Sequence, residues 1–460
     1  MNQKTFSFKR NIPVEGVYDC VVAGGGPAGT VAAISAARLG GKVLLVEATG
    51  NLGGMGTSAL VSAWSNCSDG QKTVLGGIFM EIVENMYEQG GLQPDITPDR
   101  WHRIYNRGFG FNAEHLKRLL DDMCIESGVE LRYFTKVIDV DIHPQKKQVR
   151  GVVIHNVEGF RFIETKAVID ATGDAIVADL CGADYWQAGR DTPGIMPPTL
   201  CSAVAGIDYN RFDRSLQQEP LERAVDDGFF SQPDKHFPGL FRTGATTAIL
   251  NAGHLFHTDP TSSDSMTQAM IKGRRLSKEY IDFCRQHLPG CENIETVVTA
   301  HLLGVRESRR IIGEYTLDYD DYKARRHFPD QIAIYCKQVD IHPYDLSPEE
   351  YERYYKEFNE RDLLEEGETY GLPYGMLVPK GWHNLWVAGR CSSSDVKVNG
   401  AIRDQPACAM EGQAAGTAIM QHLATGQSAY ALDTRQLIET LREHGANLPQ
   451  EELQTEMTRA

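Results

Sequence analysis

The sequence predicts an α/β protein in which the first and last parts of the chain build one parallel sheet around a second, inserted unit. Three observations carry that prediction. A buried apolar run at 17–23 leads directly into a glycine-rich turn, a small-residue helical stretch and a second buried run at 42–47. The buried-strand pattern returns at 166–170 and, much later, at 384–390. Between them, from about 185 to 370, proline clusters, turns and polar helical stretches take over. Short apolar runs without polar alternation are what a parallel sheet covered on both faces requires.

The elements follow in order. Residues 1–16 form a polar arm with Pro13 and Gly16 and no periodicity. Val17–Ala23 is a strand, Thr30–Leu39 a helix stopped by Gly40-Gly41, and Lys42–Glu47 a second strand. This βαβ unit fixes a parallel pairing and a right-handed crossover. After an irregular stretch with a helix near Ile78–Gln89 come a helix at Ala113–Ser127 and strands at Val129–Phe134 and Val137–Ile142. Val149–Asn156 and Phe160–Thr165 form a hairpin around Glu158-Gly159, and Lys166–Asp170 is a further strand. Polar helices are expected at Ser265–His287 and Ser347–Glu360, a small-residue helix from Gln405 to Leu423, and a last helix around Thr434–His444.

Composition removes several function classes. The 460 residues carry 46 Lys and Arg against 62 Asp and Glu, a net charge of −16, so no basic footprint for nucleic acid or an anionic membrane exists overall. The 44 glycines exceed the ordinary share and point to tight turns and close backbone approach to a ligand. The ten cysteines are scattered and contain no CxxC, which excludes zinc-ribbon, iron–sulfur and thioredoxin-like spacings. With no signal-peptide pattern at the start and no apolar stretch of membrane length, a cytoplasmic location is expected.

The turn Gly24-Gly25-Gly26-Pro27-Ala28-Gly29 is the most informative segment. It lies between a strand and a helix, and Glu47 follows at the end of the next strand, the context a dinucleotide site demands. Gly24 permits the tight turn, Gly26 lets amides approach a pyrophosphate, Gly29 allows close helix–strand packing, and Pro27 and Ala28 belong to the same cofactor-binding turn. The helix N-terminus brings free N–H groups and a positive dipole to the phosphates. Glu47 is expected to accept hydrogen bonds from the adenosine ribose.

These features do not choose between FAD and NAD, but a resemblance does. The opening YDCVVAGGGPAG…VLLVEATGNLGGMGTS resembles FAD-dependent oxidoreductases of the glutathione-reductase-like superfamily. More narrowly, it is similar to the group related to fumarate-reductase and heterodisulfide-reductase flavoproteins. VIDATGDA at 168–175, LLGVRESRRIIGEY at 302–315, VDIHP at 339–343 and the long segment 372–419, with AGR and GQAAG, fit the same group. The resemblance implies a discontinuous Rossmann-like FAD-binding domain with an inserted mixed α+β substrate domain. The boundaries expected are an arm at 1–16, the FAD-binding domain at 17–184 (with an excursion over 58–112) and again at 371–425, the substrate domain at 185–370, and a helical tail at 426–460.

The resemblance also implies roles. Gly53, Gly54, Met55 and Thr57 run beside the pyrophosphate and flavin. Val137 holds adenine through its backbone. Ala171, Thr172 and Gly173 return the chain under the cofactor, and Gly389 and Arg390 end the last strand near the pyrophosphate and ribityl chain. The helix near Gln405, with Ala407 in its first turn, aims its dipole at the flavin pyrimidine, where negative charge develops on reduction. No cysteine pair, cysteine cluster or second GxGxxG is present, so disulfide reduction, iron–sulfur electron transfer and a separate NAD(P)H domain are not expected. No His falls between Glu47 and Tyr87 to signal covalent flavin.

Outside this frame, four residues are candidates for catalysis. Read as a strand, 306–310 places Arg306 and Arg310 on one face, with Arg306 able to clamp a carboxylate or phosphate. The alternative is an Arg–Glu network with Glu307 that ties the two domains together. His342, with Asp340 two residues away, suits a general base, or the two simply pair on one strand face. Arg403, before the last long helix, and His301 are the further candidates. His254 and His257 lie i, i+3, but no third ligand is spaced with them, and no metal is expected. The function implied is hydride transfer between flavin N5 and a small organic substrate, oxidising an alcohol or amine. The alternatives are a fumarate-reductase-like ene-reductase or a non-catalytic electron-transfer subunit. The expected electron acceptor is oxygen or a redox partner, and a homo-oligomer fits.

Overall fold

The computed structural model describes residues 6–449. Residues 1–5 of the expected arm and 450–460 of the expected tail lie outside the described residues. The first strand, Val14–Ala23, starts within the expected arm and ends at the glycine-rich turn. It pairs in parallel with Val43–Val46, and that strand with Glu130–Arg132. On its other side it pairs in parallel with Gly159–Asp170.

Gly159–Asp170 is one continuous strand, where the sequence reading expected two. Its first half pairs antiparallel with Gln148–Asn156, which continues to Lys136–His143. Its second half pairs in parallel with Leu385–Val387. One long strand therefore joins an antiparallel meander to a parallel sheet whose fifth member arrives from a distant part of the chain.

Alternation of buried side chains explains why every core strand reads as apolar. Val22, Leu45, Ile169 and Trp386 face the helices Pro27–Arg38 and Gln405–Thr425. Val21, Leu44, Val168 and Leu385 face the meander and the short helix Ile176–Cys181. Burial of each such side chain contributes about 1.5–3 kcal/mol. The two long helices touch through glycine: a Cβ on Gly412 would lie 2.1 Å from the Ala28 carbonyl oxygen, and one on Gly416 2.3 Å from that of Ala32.

The inserted unit is an antiparallel sheet ordered Gly239–Arg242, Ala248–Asn251, Ser202–Ala205, Glu295–Thr299. The helices Gln218–Asp226 and Ser263–His287 bury their apolar stripes in a separate core between Val204 and Ile294. Apolar residues from Leu317 to Val339 and from Leu364 to Tyr370, placed by sequence in the inserted unit, pack instead in the core of the two long helices. Tyr322, Phe328 and Tyr335 supply the aromatic bulk there, and Gln331–Tyr335 pairs with Tyr370–Pro373. The helix Thr434–Glu443 joins the same core through Leu437, Ile438 and Leu441. All ten cysteines are buried and free. Among the described residues no helix is long and apolar enough to cross a membrane.

Candidate active site

Two cavities meet where the long helices and the inserted unit come together. The first, about 330 Å³, lies over the carboxyl ends of the parallel strands. Its geometry starts at Gly24, with φ +97°, where a Cβ would sit 2.5 Å from the Ala171 carbonyl oxygen. Gly29 packs its backbone on the same turn, and a Cβ there would overlap the Gly24 carbonyl. Gly26 is different: nothing lies within 4 Å of where its Cβ would point, and the residue lines the cavity. Gly26 is also the N-cap of the first helix, and no side chain caps it. Open space in front of uncapped N–H groups is what a pyrophosphate fills.

Glu47 lines the same cavity. Its Oε2 accepts from the Gly25 N–H at 2.7 Å, and its Oε1 from the Thr49 N–H at 2.7 Å and hydroxyl at 2.8 Å. The carboxylate is thus fixed at the strand end while retaining lone pairs for a ligand. Val137, Ala171, Thr172, Gly173, Gly389 and Arg390 line the walls, as do Gly54 and Met55. The helix Gln405–Thr425 also lacks a side-chain cap on its N-terminus, and Gln405 and Cys408 reach the cavity. This donor set and shape fit FAD.

Beneath the cleft, polar side chains lock the loops that form it. Arg390 donates through Nε to the Gly173 carbonyl at 2.9 Å, through Nη1 to that of Val305 at 2.8 Å, and through Nη2 to Asp174 Oδ1 at 2.6 Å. Glu411, fully buried, accepts from the Gly389 N–H at 2.6 Å and contacts Ser392 Oγ at 3.3 Å. Burial pushes its carboxyl up to about 8.

The second cavity, about 590 Å³, lies between this cleft and the inserted unit and shares Met55, Val305, Arg403 and Gln405 with it. Aromatic side chains, among them Phe237, Phe241, Tyr351 and Tyr354, form much of its wall. Its polar lining includes Arg306, Arg403, His236, His342, Asp340 and Asp404. Arg306 is held through Nη1 by the Pro197 carbonyl and by Thr199 Oγ1 at 3.2 Å. Burial and the neighbouring charge of Arg403 bring its guanidinium down to about 10, so it stays cationic at neutral pH. Arg403 reaches Asp340 Oδ2 at 3.2 Å, and its buried Nε has no partner. Asp404 hydrogen-bonds Ser65 and Tyr335, and burial raises its carboxyl.

His342 lies in a loop, not on a strand. Its Nδ1 is 3.0 Å from His254 Nε2, and its Nε2 is 3.5 Å from Asp340 Oδ2. Both ring nitrogens are therefore engaged within the protein. Burial and the charge of Arg306 hold this imidazole well below its ordinary value. His254 Nδ1 in turn lies 3.0 Å from Asp234 Oδ2, and the His236 ring stacks on His254 at 4.7 Å.

Other expected placements differ. Arg306 and Arg310 do not share a strand face, because the strand begins only at Arg309. Arg310 is buried against Glu307 Oε2 at 3.2 Å and the Ser394 carbonyl, so it belongs to an Arg–Glu network while Arg306 faces the cavity. His301 is exposed and lines neither cavity. Thr57 is buried with its hydroxyl on the Leu52 carbonyl at 2.5 Å, and it shapes the loop with Gly53 without lining the cleft. Ala407 is buried one position off the cleft wall. His257 is exposed and does not join His254. The partners that His254 does have, His236 and His342, lie too far off in sequence for any spacing rule, and Glu411 and Asp404 carried no signal beyond being charges in an apolar segment.

A strand–glycine turn–helix unit over a nucleotide cleft, closed by a second helix from the far end of the chain, defines a dinucleotide-binding redox fold. The chain belongs to the FAD dependent oxidoreductase family, whose model matches residues 19–441. Its cofactor is FAD. Fumarate reductase (cytochrome) of Shewanella frigidimarina is 27% identical over 190 residues, 34% of this chain and 33% of the relative. Digeranylgeranylglycerophospholipid reductase 2 of Methanothermobacter thermautotrophicus is 28% identical over 214 residues, 42% of this chain and 48% of the relative. The chain thus spans a third to about half of the length of these curated relatives. A solved geranylgeranyl bacteriochlorophyll reductase-like protein from Thermoplasma acidophilum matches at a TM-score of 0.48 and 13% identity, over 93% of this chain and 83% of that one.

Proposed function

We propose that this oxidoreductase oxidises a small organic anion bearing a hydroxyl or amine, with the anionic group held by Arg306 and Arg403. The observation that carries this reading is the sharing of Met55, Val305, Arg403 and Gln405 between the nucleotide cleft and the larger cavity. A molecule in the larger cavity lies against the inner end of the cleft, and two guanidinium groups line that cavity. FAD, when bound, supplies the acceptor for the hydride that leaves carbon. Glu47 would hold the adenosine ribose, the uncapped N-terminus at Gly26 the pyrophosphate, and the backbone of Val137 the adenine. Arg390 and Gly389 would support the centre of the cofactor, and the N-terminus at Gln405 its pyrimidine edge.

The remaining roles belong to the cavity walls. Arg306, pinned by Pro197 and Thr199, presents a planar fork suited to a carboxylate. The aromatic side chains keep water away and strengthen that ion pair. The proton released from the hydroxyl or amine leaves along the polar wall that His342 and Asp340 line. The test is anaerobic flavin bleaching by pooled 2-hydroxy and 2-amino acids against pooled neutral alcohols and amines. Bleaching by the acids supports the reading, and bleaching by the neutral pool alone, or by neither, overturns it. A second reading, reduction of an unsaturated carboxylate, is favoured by the same pair of arginines and by the similarity to a fumarate reductase. It requires that the photoreduced protein be reoxidised by such acids.

A further inference from the structure

Three imidazoles meet beside the larger cavity, those of His236, His254 and His342, with ligating atoms all within 4.8 Å of one another; His236 and His342 line the cavity and His254 lies behind them. His254 turns Nδ1 toward Asp234 Oδ2 at 3.0 Å, an ion contact rather than an aligned hydrogen bond. His342 turns Nε2 toward Asp340 Oδ2 at 3.5 Å. Their other nitrogens, His254 Nε2 and His342 Nδ1, face each other at 3.0 Å. A neutral imidazole carries one N–H and one lone pair. One ring N–H bridges this contact in one tautomer; with each N–H turned to its carboxylate instead, both lone pairs converge on a single cation.

A shared proton would serve two nitrogens and leave the third orphaned. His236 Nε2 is that third: it is buried and has no hydrogen-bond partner. A metal ion uses all three. We propose that His236, His254 and His342 bind a divalent first-row transition ion of the zinc type, with a fourth position open to the cavity. Nitrogen donors suit zinc, iron, nickel and copper rather than calcium or magnesium. Three protein ligands with an open position is the arrangement of catalytic rather than structural zinc. Asp234 and Asp340 stand where carboxylates orient ligating histidines in such sites.

Two nitrogens on one tetrahedral zinc lie roughly 3.3 Å apart, close to the spacing of His254 and His342. His236 is nearly parallel to His254, with 13° between ring planes. It must swing out of the stack to aim its lone pair at the common point. The ion would take the hydroxyl or carbonyl oxygen next to the anionic group that the arginines hold. In this the inference rests on the reading of the cavity as a substrate site.

The test uses the full chain with FAD bound. Chelator-treated protein is titrated with Co²⁺ and followed by its d–d absorption beyond 500 nm, then challenged with Zn²⁺. Expected are uptake of one Co²⁺ per chain, a four-coordinate spectrum and displacement by one Zn²⁺. His254→Gln and His342→Gln should weaken binding at least about 100-fold, and Asp234→Asn about 10–100-fold. FAD content reports whether each variant is folded. Should His254→Gln lose FAD, His236→Gln is the folded probe, because its Nε2 has no partner to lose. No Co²⁺ uptake, or uptake unchanged by His236→Gln, overturns the proposal. The two readings fail separately. Uptake without bleaching by any acid leaves the metal site and removes the substrate assignment, whereas bleaching without uptake does the reverse.

Discussion

The guanidinium of Arg390 lies 2.6 Å from the carboxylate of Asp174, across the floor of the nucleotide cleft. The same side chain holds the carbonyls of Gly173 and Val305, so one residue bolts together three segments that lie far apart in the sequence. Lysine cannot span all three. Arg390→Lys should destabilise the protein by about 2–3 kcal/mol, with FAD lost at lower temperature than in the parent. Flavin fluorescence during thermal melting measures this, and an unchanged release temperature would count against it.

Glu47 shapes the turn and lines the cleft proposed to hold FAD, and its removal should show both. Glu47→Ala is expected to weaken FAD by about 1–3 kcal/mol as charge-assisted hydrogen bonds are lost. It also frees the Gly25 and Thr49 N–H groups that shape the turn. Glu47→Gln should fall between parent and alanine. Acid precipitation of the parent should release FAD into a yellow supernatant. FMN there, or colour in the pellet, would contradict non-covalent FAD.

Glu411 gives a pH signature. Its folded value of about 8 lies above that of a free carboxyl. Between about 4.3 and about 8 the folded chain keeps a proton that the unfolded chain has lost. The contribution is therefore full at low pH, and stability declines as pH rises through that window. Glu411→Gln retains an acceptor for Gly389 N–H and a donor for Ser392 Oγ. It should melt like the parent near pH 5 and better than the parent near pH 9, both approximate settings on either side of the window. Parallel pH–melting curves for the two proteins would show that this carboxyl is not the source.

Arg306→Lys should raise KM for an acidic substrate by roughly 10–100-fold, because an ammonium cannot reproduce the planar fork. FAD content should not change. Arg403, which also borders the cleft, should affect both substrate and flavin when replaced by Lys. Equal kinetics in Arg306→Lys and the parent would move the anion site elsewhere.

A single dinucleotide fingerprint serves FAD, so NADH and NADPH are expected to be poor direct reductants. Rapid anaerobic bleaching by micromolar nicotinamide would show otherwise.

The cleft that Gly24, Gly26 and Glu47 line was legible because its geometry is local. A turn between strand and helix, and an acid one strand later, are fixed by backbone geometry within about 30 residues. Gly24, Gly26 and Glu47 fall in one cleft for that reason. The substrate half depends on residues brought together from 55 to 405, and no short pattern encodes that. Arg306 and His342 stood out as charges beside apolar runs, and both line the cavity. His301 stood out equally and is at the surface. His236 and His254 were invisible as a pair, since only the folded inserted sheet sets one ring on the other. The strand break expected near Thr165 also failed, because composition does not reveal that one strand changes partners midway.

The close fit of Gly412 and Gly416 against Ala28 and Ala32 sets the schedule by which this protein matures. The glycine turn leaves the ribosome early, but the helix that packs on the helix following it is made nearly four hundred residues later. Until then the side of the first helix that carries Ala28 and Ala32 lacks its partner. A chain ending before Gln405 would keep the glycine turn but lack the helix packed on it, and it is expected to hold no FAD.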